Sequence, residues 1–186
     1  MSPERAAAPA PACLIRTGSP GDEAALALLG QASFLEAFAG TLRGADILEH
    51  CAHKHAREVY RHWLADAHYD IWIAEARQGG AQVGYLVMCP PTPAELPLAD
   101  LDERDAEIKR IYLLHRFQGL GLGAALLRSA RERATQRAAR RLVLGVYAGN
   151  AAAIAFYQAQ GFCTVGRRSF RVGESDCEDL ILACTL

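Results

Sequence analysis

The segment Ile108-Lys109-Arg110-Ile111-Tyr112-Leu113-Leu114-His115-Arg116-Phe117-Gln118-Gly119-Leu120-Gly121-Leu122-Gly123-Ala124 runs an apolar strand pattern into alternating glycines, and the glycines into a helical pattern. A helix start leaves backbone N–H groups without partners and carries the positive end of the helix dipole. Glycine permits φ > 0 and lets a ligand approach the main chain closely. Together these features bind phosphate. Gln118, Gly119, Leu120, Gly121, Leu122, Gly123 and Ala124 are therefore a candidate pyrophosphate cradle; the plainer alternative is a tight strand-to-helix turn. The spacing also fits the G-x-G-x-x-G/A dinucleotide pattern. That pattern wants an acidic residue about 20 positions further on. Arg140 and Arg141 stand there instead, and the next strand pattern, residues 142–147, has no carboxylate. Only 63 residues follow Gly123, too few for the remaining βαβ units. No Lys-Ser/Thr follows the last glycine, which excludes a P-loop.

Three other clusters carry chemistry-bearing side chains. Residues 100–107 hold five carboxylates, ending in Glu107. They can attract a cationic amine or form a solvated loop. His50, His53, His55, His62 and His68 gather in one helical stretch without an H-E-x-x-H pattern, so no metal site is expected and a contact with substrate is admitted. Arg128, Arg131, Arg133, Arg137, Arg140 and Arg141 follow the glycines and read mainly as the solvated face of a helix.

The elements that must position these groups follow from periodicity. Strands are expected near 13–16, 69–76, 82–89, 107–114, 142–147, 163–172 and 179–186. Helices are expected near 23–38, 46–67, 119–139 and 151–160. Gly79-Gly80 makes a hairpin turn, and Pro90, Pro91, Pro93 and Pro97 mark a loop no strand could contain. The mixture implies one α/β domain over residues 13–186, with 1–12 a disordered Ala/Pro-rich tail. A chain of 186 residues buries roughly 70% of its unfolded surface, enough for a core without staples. Twenty basic against 21 acidic residues leave no electrostatic footprint for nucleic acid or an anionic membrane, and no apolar run is long enough to span one. Six scattered cysteines without a C-x-x-C pair read as buried or partly buried free thiols in a reducing compartment, which points to the cytoplasm.

Gln118-Gly119-Leu120-Gly121-Leu122-Gly123 resembles the Gln/Arg-x-x-Gly-x-Gly/Ala motif of the GNAT superfamily of N-acetyltransferases. Downstream, Asn150-Ala151-Ala152-Ala153-Ile154-Ala155-Phe156-Tyr157-Gln158-Ala159-Gln160-Gly161-Phe162 looks like that family's second motif, Asn-x-x-Ala-x-x-Phe-Tyr-x-x-x-Gly-Phe. The element order is similar throughout the chain after residue 12; His115 stands where a proline is frequent. The resemblance implies a mixed, mostly antiparallel sheet flanked by helices on both faces.

The resemblance also implies acetyl-coenzyme A as cosubstrate, its pyrophosphate on the amides from Gln118 to Ala124. Ile111, Tyr112 and Leu113 would offer main-chain groups to the pantetheine arm, and an amide near Leu113 would polarise the thioester carbonyl. Asn150 would contact the same arm while capping a helix. Tyr157 would protonate the leaving thiolate, unless it is only a core aromatic beside Phe156. Glu107 would act as base or hold a water, unless it is a solvated strand end. A lysine-like amine, with a reference pKa near 10.4, is almost wholly protonated at pH 7, so some route for its proton is required. The expected reaction is direct acetyl transfer to a primary amine. Residues 32–41 and the ending 170–182 are similar to polyamine acetyltransferase-like members and favour a small molecule such as a polyamine. The alternatives are a protein N-terminal or lysine amine, and a non-catalytic acyl-coenzyme A sensor. A homodimer through a sheet edge is admitted.

Overall fold

The computed structural model describes residues 12–186. The tail expectation falls on residues 1–11, outside the described residues; Ala12 already accepts a hydrogen bond from the Arg77 amide. Seven strands form one sheet: β1 (Cys13–Thr17), β2 (Asp70–Ala76), β3 (Gln82–Cys89), β4 (Asp105–Leu113), β5 (Arg141–Tyr147), β6 (Cys163–Val172) and β7 (Ser175–Thr185). Their spatial order is β1-β2-β3-β4-β5-β7-β6, and only the β4–β5 pair is parallel. Among the described residues five α-helices accompany them: α1 (Glu23–Phe38), α2 (Gly44–Lys54), α3 (Arg57–Ala65), α4 (Leu122–Gln136) and α5 (Ala151–Ala159).

Strand alternation sends side chains to two cores. Tyr85, Val87, Ile71 and Ile73 pack on Leu26 and Leu29 of α1 and on Tyr60 and Trp63 of α3. Leu86, Met88 and Ile108 pack on Leu126, Leu127 and Ala130 of α4, with Tyr157 of α5 and Phe162 closing that side. Helices therefore cover both faces, as expected. On the α1 face beyond β4, the proline-rich loop does the covering: Leu96 packs against Val143, Ile181 and Ala183.

The single helix expected over residues 46–67 is two, broken at His55 and Ala56. The break contains neither Gly nor Pro. It is held from outside, by Arg110 of β4, whose Nη2 donates to the Lys54 carbonyl at 2.5 Å. A cation on the last carbonyls of a helix satisfies orphan acceptors and opposes the dipole. β4 and β7 each begin earlier than the apolar pattern indicates, because their first residues, Asp105 and Ser175, are polar.

Candidate active site

β4 and β5 pair only at residues 105–107 with 141–143. Beyond that fork β4 runs on to Leu113 beside β3, and β5 runs on to Tyr147 beside β7, so their inner edges part. A register irregularity between Val87 and Met88 opposite β4 lies at the fork. Two consecutive cations there, Lys109 and Arg110, are its trace in the sequence.

The Leu114 amide donates to Val83 O at 3.0 Å, so the Tyr112 main chain also faces β3 and those of Ile111 and Leu113 face the open edge. Tyr112, the third residue expected to border the cofactor, packs its ring on the α1 face. Leu113 O accepts from Gln118 Nε2 at 3.2 Å.

The open edge leads to the glycine turn. Gly119 (φ 74°) and Gly121 (φ 78°) are in the left-handed region, and a Cβ at either would meet nothing within 4 Å. The N-terminus of α4 has no side-chain cap, and the amides of residues 119–124 make no backbone hydrogen bond among the described residues. An open cradle of unpaired N–H groups at a helix start suits a pyrophosphate, so these residues fit coenzyme A. Leu120 is exposed, while Leu122 packs with the β1–β3 side chains. Gly123 lets α4 meet Phe156 of α5, where a Cβ would be 3.0 Å from the ring. Ala124 is half-buried in the first turn of α4.

Asn150 caps α5, its Oδ1 accepting from the Ala153 amide at 3.0 Å. Such a cap contributes about 1 kcal/mol. Tyr157 sits two helix turns beyond Asn150, 7% exposed, its ring against Phe156 and Phe162. Its hydroxyl makes no hydrogen bond among the described residues, and burial pushes its pKa well up. Glu107 lies at the fork, 3% exposed. It is not the solvated strand end of the alternative reading. Its Oε2 accepts from the Thr92 amide at 3.0 Å, and Lys109 Nζ is 3.6 Å from Oε1. Burial raises its pKa against the pull of Lys109.

The rest of the acidic run is used elsewhere. Asp105 accepts from both Arg140 and Arg141 at about 3.0–3.1 Å, Asp100 pairs with Arg141 at 3.0 Å, and Asp102 with Arg104 at 2.8 Å. These pairs pin the closed end of the fork. Arg131 donates to Gln160 O, and Arg133 and Arg137 pair with Asp70 at 3.0 Å, so those helix arginines serve packing rather than a solvated face alone. Cys163 is exposed, unlike the other five free cysteines.

Sequence reasoning missed what spans the open side. Glu95 accepts from Lys109 of β4 at 2.8 Å through its carboxylate, and from Arg168 of β6 at 2.5 Å through its carbonyl. Arg168 also donates twice to buried Asp179 of β7, at 3.0 and 3.1 Å, and lies where a Gly145 side chain would stand. The loop thus straps the two arms of the sheet together. On the same face, helix rings reach the far arm, Phe38 of α1 to Tyr147 of β5 (5.6 Å) and His50 of α2 to Phe170 of β6 (6.0 Å), while His55 meets Tyr112 of β4 (5.8 Å). Of the five clustered histidines, His50 and His55 face this cleft side, and His53, His62 and His68 are exposed. No group of three potential metal ligands occurs among the described residues.

Residues 36–162 match the model of the acetyltransferase (GNAT) family, and the chain belongs to that family. It is 34% identical over 110 residues to uncharacterized N-acetyltransferases of Mycobacterium bovis and Mycobacterium tuberculosis, over 59% of this chain and 64% of theirs. In fold it is similar to the PaiA N-acetyltransferase of Thermoplasma acidophilum in complex with coenzyme A (TM-score 0.75, 18% identity, 94% of this chain and 99% of that one). It is also similar to the ribosomal-protein-S18-alanine N-acetyltransferase of Escherichia coli (TM-score 0.65, 19% identity, 93% of each).

Proposed function

We propose that the chain transfers an acetyl group from acetyl-coenzyme A directly to the primary amine of a small molecule, as a cytoplasmic enzyme. The observation that carries this is the continuous path from the open β4 edge to the uncapped, glycine-lined start of α4. The amides from Gly119 to Ala124 hold the pyrophosphate, with Gln118 ordering the turn through Leu113 O. Ile111 and Leu113 pair with the pantetheine arm. The amide that polarises the acyl carbonyl is then that of Ile111, since Leu113 borders the turn and lies at the phosphate end. Asn150 and Tyr157 flank the thiol end.

Acetyl-coenzyme A supplies an acyl group activated as a thioester. Glu107 accepts the proton that the attacking amine loses, directly or through one water. Tyr157 gives its proton to sulfur as the C–S bond breaks and the C–N bond forms. Its buried phenol holds that proton until a thiolate appears.

The strap at Glu95 and the rings that cross the gap enclose the acceptor side, which favours a small molecule over a protein tail. Asp100, Asp102 and Asp105 of the acidic run are paired with Arg141, Arg104 and Arg140, which weakens the run's attraction for a polyamine. A pure sensor needs neither a buried carboxylate at the fork nor a buried phenol beyond it. Six free cysteines support a reducing compartment. The test is release of free coenzyme A with a panel of amines, alongside calorimetric coenzyme A binding by wild type and Tyr157→Phe. Turnover is expected with at least one small amine. Tyr157→Phe is expected to lower kcat about 10²-fold with little change in cofactor affinity. Unchanged kcat removes Tyr157 as the acid, and binding without turnover by any amine favours the sensor.

A further inference from the structure

His55 is fully buried, and its surroundings fix which ring nitrogen carries the proton. Its Nδ1 is 2.8 Å from Tyr60 Oη, which is 2.6 Å from Tyr85 Oη. Arg110 Nη1 donates to Tyr60 Oη at 2.8 Å and stands 3.4 Å from His55 Nδ1. These groups meet where α1 carries Gly30; a Cβ there would collide with His55 Nδ1 and Tyr60 Oη. Arginine can only donate. If Nδ1 were protonated, its N–H would face that of Arg110. Tyr60 would then give its proton to Tyr85, and the buried Tyr85 proton would have no acceptor. With Nδ1 bare, Tyr85 donates to Tyr60, Tyr60 donates to His55, and of the donors on these three rings all but one are satisfied. The one left is Nε2–H, and Nε2 has no partner among the described residues. Leaving a sealed donor unpaired is costly.

Nε2 lies on the edge of the ring away from Tyr60, and the other rings around His55 are those of His50 (5.5 Å), Phe34 (5.7 Å) and Tyr112 (5.8 Å). Nearby, Arg110 has a phenol, an imidazole, a carbonyl and the face of Trp63 as partners, but no carboxylate among the described residues. Burial first, and the Arg110 charge second, push His55 down to about 2 and His50 to about 4, so both rings are neutral while Arg110 keeps its charge. The site therefore combines an unpaired neutral donor with an uncompensated cation.

We infer that His55 is a specificity-determining hydrogen-bond donor for the acceptor, and that the acceptor is an amino acid whose carboxylate docks on Nε2–H. The half-buried ring of His50, stacked on Phe34 at 4.0 Å, is the neighbour the carboxylate would have to displace. The inference rests on the acetyltransferase reading of this cleft.

The test uses amino acids of increasing chain length, each paired with the alkylamine that lacks the carboxylate. Turnover is measured, together with binding to protein loaded with coenzyme A. The carboxylate member of at least one pair is expected to be favoured about 10–100-fold, mainly in KM, the range of a hydrogen bond to a charged group. His55→Asn keeps an acceptor for Tyr60 but removes the outer donor, and is expected to bring that ratio to within about threefold of one. His55→Gln reaches the outer position and is expected to restore most of it. Absence of carboxylate preference in both turnover and binding overturns the inference, as does a preference that His55→Asn leaves intact. Failure to bind coenzyme A would instead overturn the acetyltransferase reading.

Discussion

Glu107 and Asp105 are two residues apart on β4 and have opposite electrostatics. Asp105 is pulled below the usual carboxylate range by Arg140 and Arg141 in spite of burial, whereas burial lifts Glu107 above it. A carboxyl whose folded pKa is raised binds its proton more tightly in the folded state. Its contribution to stability is full below the unfolded pKa and is lost as pH rises through the folded one. Glu107→Gln is therefore expected to raise Tm at pH 7 and to change it much less near pH 4, as read by thermal melts at both values. If Glu107 is the base, the same variant also removes a rise of kcat/KM with pH through that raised pKa. An unchanged acid limb would assign the limb to another group.

At the scale of elements, Gly30 is the sharpest case. In an ordinary helix interior, alanine is better than glycine by about 1 kcal/mol. In α1 the added methyl would strike His55 and Tyr60, so Gly30→Ala is expected to destabilise by about 1–3 kcal/mol instead, measured by urea unfolding. Strand and helix periods, the glycine turn and the Asn150 cap were all legible in the sequence, because each depends on neighbours in the chain. The break between α2 and α3 was not. It depends on Arg110, which is 56 residues from Lys54 along the chain and carries no local signature of a cap. The same holds for the strap: nothing in Glu95 itself announces that its two ends hold β4 and β6. The alternating apolar pattern of β4 did contain one clue, the adjacent Lys109 and Arg110, which mark the irregularity at the fork.

For the whole molecule, the sheet is continuous only through the three residue pairs of the β4–β5 fork. Asp105, whose side chain is fully buried, joins the halves there by holding Arg140 and Arg141. Removing one partner of a buried pair costs about 3–5 kcal/mol. Asp105→Asn is expected to fall toward that range in equilibrium unfolding, and to do so by losing stability at neutral pH that the wild type loses only in acid. The sign follows from a depressed folded pKa, which contributes stability above the unfolded value and loses it as pH falls. A loss below about 1 kcal/mol would mean that the strap and the Leu96 cluster carry the junction.

An occupant of the open wedge above that fork would also lengthen the protein's survival in a cell. A ligand that lies along an unpaired strand edge supplies the rungs the sheet lacks, and binding only the folded state it adds RT ln(1 + [L]/Kd) to stability. At 100 times Kd that is about 2.7 kcal/mol, a large part of what holds a domain of this size together. Copies of the protein that carry cofactor would be opened by proteases less often than empty ones, so the amount of enzyme would follow the supply of its cosubstrate without any dedicated regulator.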